Sequence, residues 1–407
     1  MKDQIRTPSP IATRRFGRTG IKMPLISIGG MRFNQSWEDL DPEKIEKDSQ
    51  NELENILSIA TLYGLNHIET ARHYGSSERQ LGWALSAVPD PNRLLQTKIP
   101  PNEDPDKFEE ELALSFERLN CKKLDLLSIH GINLPEHFDQ TLRPGGCLEV
   151  ARSWQKENRI GAIGFSTHAP TSLIVKTIES NAFDYVNLHW YFIRQDNAPA
   201  LQIAKNFDLG VFIISPTDKG GHLHTPSSKL MELCDPLHPI VFNDLFCLND
   251  MRVHTISVGV CKPNDLELHL QAIELLDDAE ILIPSITRKL RDAASLSLGK
   301  KWLNTWHLGL PSWNQTPGNI NIPVLLWLYN LFEAWDMESY VKARYGLLGK
   351  AGHWFPGENA NRLDLDITES SILKVLECSP WQKEIPEILR RLKDKFGRID
   401  RKRLWNN

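Results

Sequence analysis

Four side chains in the first third of the chain could do acid–base chemistry together. Glu69, Lys98 and His130 each close an otherwise apolar run: Asn-His-Ile-Glu, Leu-Leu-Gln-Thr-Lys and Asp-Leu-Leu-Ser-Ile-His. Tyr74 lies shortly after Glu69, directly before Gly75. A carboxylate, an ammonium, an imidazole and a phenol are groups that move protons in enzyme sites. Taken singly, each has an ordinary explanation. A lysine after a strand is usually solvated, a strand-end histidine usually structural, and a tyrosine beside a glycine commonly a loop anchor. Ionisable groups closing consecutive runs are far rarer by chance.

The elements that must position them are short apolar runs, each followed by a helical pattern. Leu25–Gly29, Asn66–Thr70, Arg93–Lys98, Leu124–His130, Ile160–Phe165, Tyr185–Leu188, Gly210–Ile214 and Thr255–Val258 read as strands. Their near-continuous apolarity is that of parallel strands buried on both faces. Amphipathic stretches lie between them, among them Asn51–Leu62, Ser77–Leu85, Pro105–Leu119 and Leu173–Glu179. Eight βα units over roughly 260 residues match a (β/α)8 TIM barrel. A doubly wound open sheet is the alternative, since alternation alone does not prove closure. The missing G-x-G-x-x-G in the first unit weakens it. In such a barrel strand ends converge on one mouth, where catalytic groups sit. Glu69 then ends the second strand, Lys98 the third and His130 the fourth, with Tyr74 in the loop after the second. Ahead of the barrel, Arg14–Phe16 and Met23–Leu25 flank Gly-Arg-Thr-Gly and read as a hairpin that could plug the barrel floor. We expect a flexible tail over 1–13, the barrel over 14–290, a mainly helical extension over 291–400 and a basic tail over 401–407. Helical segments in the extension are expected near Pro323–Asp336, Glu338–Leu347 and Pro386–Lys395.

Composition narrows the class. Apolar residues make up 41% and charged residues 24%, as in soluble globular proteins. The net charge of −5 argues against a nucleic-acid binder. No apolar run approaches the roughly 20 residues a bilayer needs, and the first residues do not form a secretory signal. The six cysteines are scattered without any C-x-x-C pair. A cytoplasmic protein without membrane or nucleic-acid partners, monomeric or weakly self-associating, is the expectation.

The segment from Gly64 to Gly82, containing His-Ile-Glu-Thr-Ala-Arg-His-Tyr-Gly-Ser-Ser-Glu, resembles the signature of the aldo/keto reductases. In that pattern a carboxylate closes the second strand, a tyrosine follows, and Gly-x-Ser-Glu opens the next helix. Lys98 and His130 match the family's lysine and histidine, and the similarity runs from about Arg14 to about Leu276. One departure is plain: Glu69 replaces the family's usual aspartate, keeping the charge on an arm longer by one methylene. The resemblance implies reduction of an aldehyde or ketone to an alcohol with NADP(H), no metal, and a small-molecule carbonyl or alcohol substrate. Tyr74 becomes the general acid, and His130 orients the carbonyl oxygen. Lys98 is expected to lower the tyrosine pKa from about 10, with Glu69 positioning Lys98.

The cofactor residues implied are Ser166 and Thr167 after the fifth strand and His189 after the sixth. They continue with Ser215, Lys219, Gly220 and Gly221 after the seventh, and Gly259 and Lys262 after the eighth. Thr167 stands where an amide residue is usual, and His189 where a glutamine is frequent. Near Ile214 the aromatic that stacks on nicotinamide in many members is missing. Lys262 is the candidate for the adenosine 2′-phosphate.

Gln315-Thr-Pro-Gly-Asn-Ile-Asn-Ile-Pro323 resembles the end of a ferredoxin-type motif found in a subgroup of the family. The cysteines that precede it there are replaced by Trp313, Asn314 and Thr316, and Cys378 with Ser379-Pro380 is what remains downstream. A [4Fe–4S] cluster takes four thiolates, so a relic helical module without iron–sulfur ligation is expected. His222 and His224 match no metal spacing. Two other readings stand beside the reductase: a nicotinamide-binding redox sensor, and a scaffold acting through the basic C-terminal helix.

Overall fold

The computed structural model describes residues 11–33 and 37–397. The tail expected over 1–13 lies largely outside these residues, and so does the basic tail over 401–407. Residues 11–13 are tied down rather than loose: the Ile11 N–H donates to the Tyr63 carbonyl at 3.0 Å, and Thr13 opens a strand.

Eight parallel strands close into a barrel. In chain order they are β3 (Ile26–Gly29), β4 (His67–Glu69), β5 (Leu94–Ile99), β6 (Leu124–His130), β7 (Ile160–Ser166), β8 (Tyr185–Leu188), β9 (Gly210–Ile214) and β10 (Thr255–Gly259). Neighbours in sequence pair in space, and β10 closes the ring on β3. The expected strands therefore all occur, with no end moved by more than one residue. One shift matters: Lys98 stands second from last on β5, with Ile99 beyond it. Helices α1 (Lys47–Leu62), α2 (Ser77–Ala87), α3 (Pro105–Arg118), α4 (Pro135–Leu142), α5 (Cys147–Lys156), α6 (Thr171–Glu179) and α7 (Ala198–Asn206) alternate with the strands. Their buried stripes join the outward faces of the strands in one apolar core that includes Leu53, Leu57, Leu81, Leu112, Ile163, Ile178 and Leu201.

A hairpin of β1 (Thr13–Arg15) and β2 (Lys22–Pro24) precedes the barrel, one residue ahead of the expected register. Phe16 and Met23 cluster with Leu126, Ala162, Tyr185 and Phe212. A side chain at Gly210 would collide with the Phe16 ring at 2.7 Å, so glycine is what lets this ring enter. Phe16→Ala is expected to cost about 3–5 kcal/mol, the range for a buried phenylalanine. Urea unfolding followed by barrel-strand hydrogen exchange checks this, and an unchanged midpoint would deny the hairpin a packing role.

The chain forms two compact units, one of Met1–Gly220 and Ile240–Glu280, the other of Gly221–Pro239 and Ile281–Asn407. Helices α8 (Ser228–Cys234), α9 (Pro239–Asn249), α10 (Leu266–Glu274), α11 (Ala279–Leu298) and α12 (Lys300–Thr305) complete the middle of the chain. In the second unit, α13 (Ile322–Trp335), α14 (Glu338–Leu347), α15 (Glu369–Val375) and α16 (Ile385–Phe396) surround Leu325, Leu328, Val341, Tyr345, Leu389 and Leu392. The basic residues of α16 are engaged within the unit. Arg390 pairs with Asp364, Arg391 with Glu333 at 2.7 Å, and Lys395 with Glu338 at 2.9 Å. No helix among the described residues is long and apolar enough to cross a membrane.

Candidate active site

Lys98 is the centre of the candidate site. Alternation along β5 points it into the barrel, where it is 1% exposed. Its ammonium pairs with the Glu69 carboxylate and donates to the Thr70 carbonyl at 2.8 Å. The other Glu69 oxygen accepts from Ser257 Oγ of β10 at 2.6 Å. The Lys98 ammonium lies 4.8 Å from the Tyr74 ring centroid. The Tyr74 ring meets His130 edge-on at 5.7 Å and Trp37 edge-on at 6.2 Å. Glu69, Tyr74, Lys98 and His130 are therefore one contact cluster, drawn from β4, the loop after it, β5 and β6.

The loop carrying Tyr74 is tied to the strand carrying Lys98. The Arg72 N–H donates to the Lys98 carbonyl at 3.0 Å, and the Tyr74 and Ser77 N–H groups close successive turns. Ser77 Oγ donates to the Gly30 carbonyl at 2.8 Å, which fixes the start of α2 against the end of β3.

Charge is strongly perturbed here. At Lys98, burial opposes the charged form most, yet Glu69 and Tyr74 outweigh it and hold the pKa above the usual lysine value. At Tyr74, burial is again the largest influence and pushes the hydroxyl above its ordinary value, with Lys98 opposing and Glu69 reinforcing the rise. Lys98 acts downward on the phenol as expected, but the net shift is upward, which corrects the expectation of a hydroxyl below its ordinary value. Burial costs the phenolate more than Lys98 returns, and Glu69 offsets part of the ammonium's field. Deeper in the barrel, His67 is pushed down to about 3 by burial and by Lys98. It bonds Ser27 Oγ at 2.6 Å, stays neutral, and does not compete for protons with the cluster above it.

The remaining candidates spread around the strand ends. Ser166 pairs with His130 in register, and its Oγ accepts from the Gly131 N–H at 3.1 Å. The Thr167 hydroxyl donates to the Ile132 carbonyl at 2.8 Å and accepts from the Ala169 N–H at 3.0 Å, so it braces the strand end. His189 is buried, bonded to His168 and to the Tyr191 hydroxyl at 2.6 Å each. Ser215 holds a left-handed φ of +50° directly after β9, a conformation costing a non-glycine residue about 1–3 kcal/mol and typical of functional turns. The Lys219 N–H donates to the Ser215 carbonyl at 3.0 Å. A side chain at Gly220 would strike the Pro216 carbonyl, and Gly221 takes φ +135°. Gly259 ends β10, with the Arg32 side chain across it, and Lys262 is exposed.

Several residues of this neighbourhood carry no motif. Ser257 is one, although it lies on the same strand face as Gly259. Another is the wholly buried pair of Asp244 (α9) and His269 (α10), joined at 2.5 Å. Their outer atoms, Asp244 Oδ1 and His269 Nε2, have no protein partner, nor has Thr217 Oγ1 after β9. Among the described residues, no three histidines, cysteines or acids are arranged to hold a metal.

Comparison with known proteins agrees with the barrel. The aldo-keto reductase AKR11C1 from Bacillus halodurans, in its holo form, has 15% identity and a TM-score of 0.56, covering 69% of this chain and 96% of its own. A thermostable aldo-keto reductase in complex with the inhibitor epalrestat has 18% identity and a TM-score of 0.55, covering 68% of this chain and 100% of its own. No curated protein matches the chain significantly. The sequence pattern of the aldo/keto reductase family matches residues 25–239, and the chain belongs to that family of oxidoreductases.

Proposed function

We propose that the protein is an NADP(H)-dependent reductase that converts an aldehyde or ketone to the alcohol, with Tyr74 as general acid. The observation that carries this reading is the buried cluster in which Lys98 joins Glu69 to the Tyr74 ring beside His130. Negative charge develops on a carbonyl oxygen as its carbon is reduced, so the oxygen needs a proton and preorganised donors. The Tyr74 hydroxyl, kept protonated by burial, gives that proton. Lys98 then stabilises the phenolate left behind, Glu69 holds Lys98 in place, and His130 orients the carbonyl oxygen.

Reduced nicotinamide, when bound, supplies the hydride that adds to the carbonyl carbon. Buried polar groups normally have partners, so the unsatisfied Thr217 hydroxyl, in the loop of Ser215, Lys219 and Gly220, supports a polar ligand at that loop. Ser166 would hold the nicotinamide amide, with Thr167 bracing the strand end and His189, its two ring nitrogens taken by Tyr191 and His168, bordering the amide. Ser215, Lys219 and Gly220, with the adjacent Gly221, would hold the pyrophosphate, and Gly259 and Lys262 the 2′-phosphate end. In the C-terminal extension we read a relic ferredoxin-like module without iron–sulfur ligation, because Cys378 is the single cysteine after residue 290 and a cluster takes four thiolates.

NADPH oxidation against a panel of small aldehydes and ketones is the test. Carbonyl-dependent oxidation is expected; tight NADPH binding without turnover of any carbonyl would overturn the reading in favour of a sensor.

A further inference from the structure

Trp37 reaches Tyr74 from a loop far from it in sequence, and Asp39, two residues further along that loop, is held by charge. The Asp39 carboxylate accepts from Arg72 Nη2 at 2.8 Å, and Arg118 Nη2 lies at the same distance. Arg79 Nε stands 3.9 Å away. Arg72 is itself buried and fully committed. Its Nη1 donates to Glu78 at 2.7 Å and its Nε to Glu111 at 3.0 Å. The other Glu78 oxygen accepts from Thr97 Oγ1 at 2.6 Å, and Thr97 is the residue before Lys98 on β5. A continuous set of charge-assisted bonds thus runs from the Lys98 strand through Glu78 and Arg72 to Asp39, two residues from Trp37. The charges balance, three arginines against Asp39, Glu78 and Glu111. Networks anchored on a buried arginine shared among several carboxylates hold geometry better than isolated surface pairs.

We propose that Asp39 is a positioning residue that seats Trp37 against Tyr74. Trp37 then forms an apolar wall of the substrate site and selects carbonyl compounds bearing a flat aromatic substituent. The proposal rests on Tyr74 being the point at which the carbonyl is bound. A substituent on that carbonyl lies beside the Tyr74 ring, and the Trp37 indole, its ring centroid 6.2 Å from that of Tyr74, offers an apolar surface there. Burying an aryl group against it removes far more apolar area from water than burying a short alkyl chain does.

The test has two arms on the full chain. In the kinetic arm, the ratio of kcat/KM for benzaldehyde to that for propanal is measured with NADPH. Trp37→Ala is expected to lower this ratio at least about tenfold, the scale of one apolar contact in a pocket. Asp39→Asn should lower it in the same direction, Asp39→Glu restore it, and Trp37→Phe retain most of it. In the structural arm, 5-fluorotryptophan is incorporated and the Trp37 fluorine resonance, identified by its loss in Trp37→Phe, is followed. It is expected to shift or broaden in Asp39→Asn and to shift in Tyr74→Phe. A ratio that ignores Trp37→Ala overturns the wall, and a Trp37 resonance indifferent to Asp39→Asn overturns the clamp. Wild-type protein that reduces neither aldehyde overturns the reading of Tyr74 and the selectivity with it, while the fluorine signal still decides the clamp.

Discussion

Tyr74→Phe is expected to lower kcat for carbonyl reduction by about 10²–10⁴-fold, the contribution of one positioned acid. The ring stays, so the Lys98 ammonium keeps its aromatic face and His130 and Trp37 keep their edge contacts. NADPH affinity and unfolding temperature should therefore remain those of the wild type, and the loss should fall on kcat. Alcohol oxidation must fall by a like factor, because the group that gives the proton in one direction accepts it in the other. The pH dependence adds a second signature. Burial first of all, with Glu69, holds the hydroxyl above its ordinary pKa of about 10. The acid thus stays protonated across neutral pH, and the alkaline fall in kcat/KM for reduction should come above about pH 10. Stopped-flow single turnovers over that range isolate the chemical step. Wild-type turnover by Tyr74→Phe, or an alkaline fall centred near pH 7, would remove Tyr74 from the role.

The difference between what could be read from residues alone and what could not follows the range of the interactions. The eight strands were legible because a parallel strand buried on both faces is a short apolar run, a purely local property. Glu69, Lys98 and His130 stood out as charged ends of such runs, and the barrel places run ends together. What lay out of reach depends on residues far apart in sequence that share no pattern. Asp39 and Arg72 meet only because the loops after β3 and β4 sit side by side, and Ser257 reaches Glu69 only because β10 closes on β3. Asp244 and His269, on α9 and α10, look like ordinary helix residues until their burial is seen. Segment 221–239 belongs to the second compact unit although a barrel strand lies on either side of it. The direction of the Tyr74 shift is out of reach for the same reason. A neighbouring lysine is visible in the sequence, and desolvation is not.

Removing one member of the Glu69–Lys98 pair should be among the most destabilising single changes in the barrel interior. Both side chains are almost wholly buried, and a buried ion whose partner is deleted costs about 3–5 kcal/mol. Glu69→Leu leaves the ammonium with the Thr70 carbonyl and the Tyr74 ring, and it frees the Ser257 hydroxyl as well. Burial then acts on Lys98 without its strongest counterweight, so its pKa should fall below the ordinary lysine value. Lys98→Met leaves a buried carboxylate and should cost a similar amount. The double replacement by two apolar side chains should cost clearly less than the sum of the singles, because it strands no charge. The wild-type pH profile has a definite sign. A folded pKa raised above the unfolded one gives stability fully present below the unfolded value of about 10.5 and lost as pH rises through the folded value. Alkaline unfolding above that point is expected for the wild type, with Tyr74 adding in the same sense. In Glu69→Leu the reversal of the Lys98 shift makes stability increase as pH rises from neutrality toward 10.5. Because the chain has two compact units, barrel-strand hydrogen exchange measures this better than a single unfolding midpoint. Equal and additive losses for the singles and the double, with no change in pH slope, would mean that the pair does not act as a buried couple. Glu69→Asp isolates the arm length: it restores the charge but must stretch toward both Lys98 and Ser257. It should recover most of the stability, and the catalytic rate it recovers measures how far the longer side chain was needed to place Lys98 beneath Tyr74.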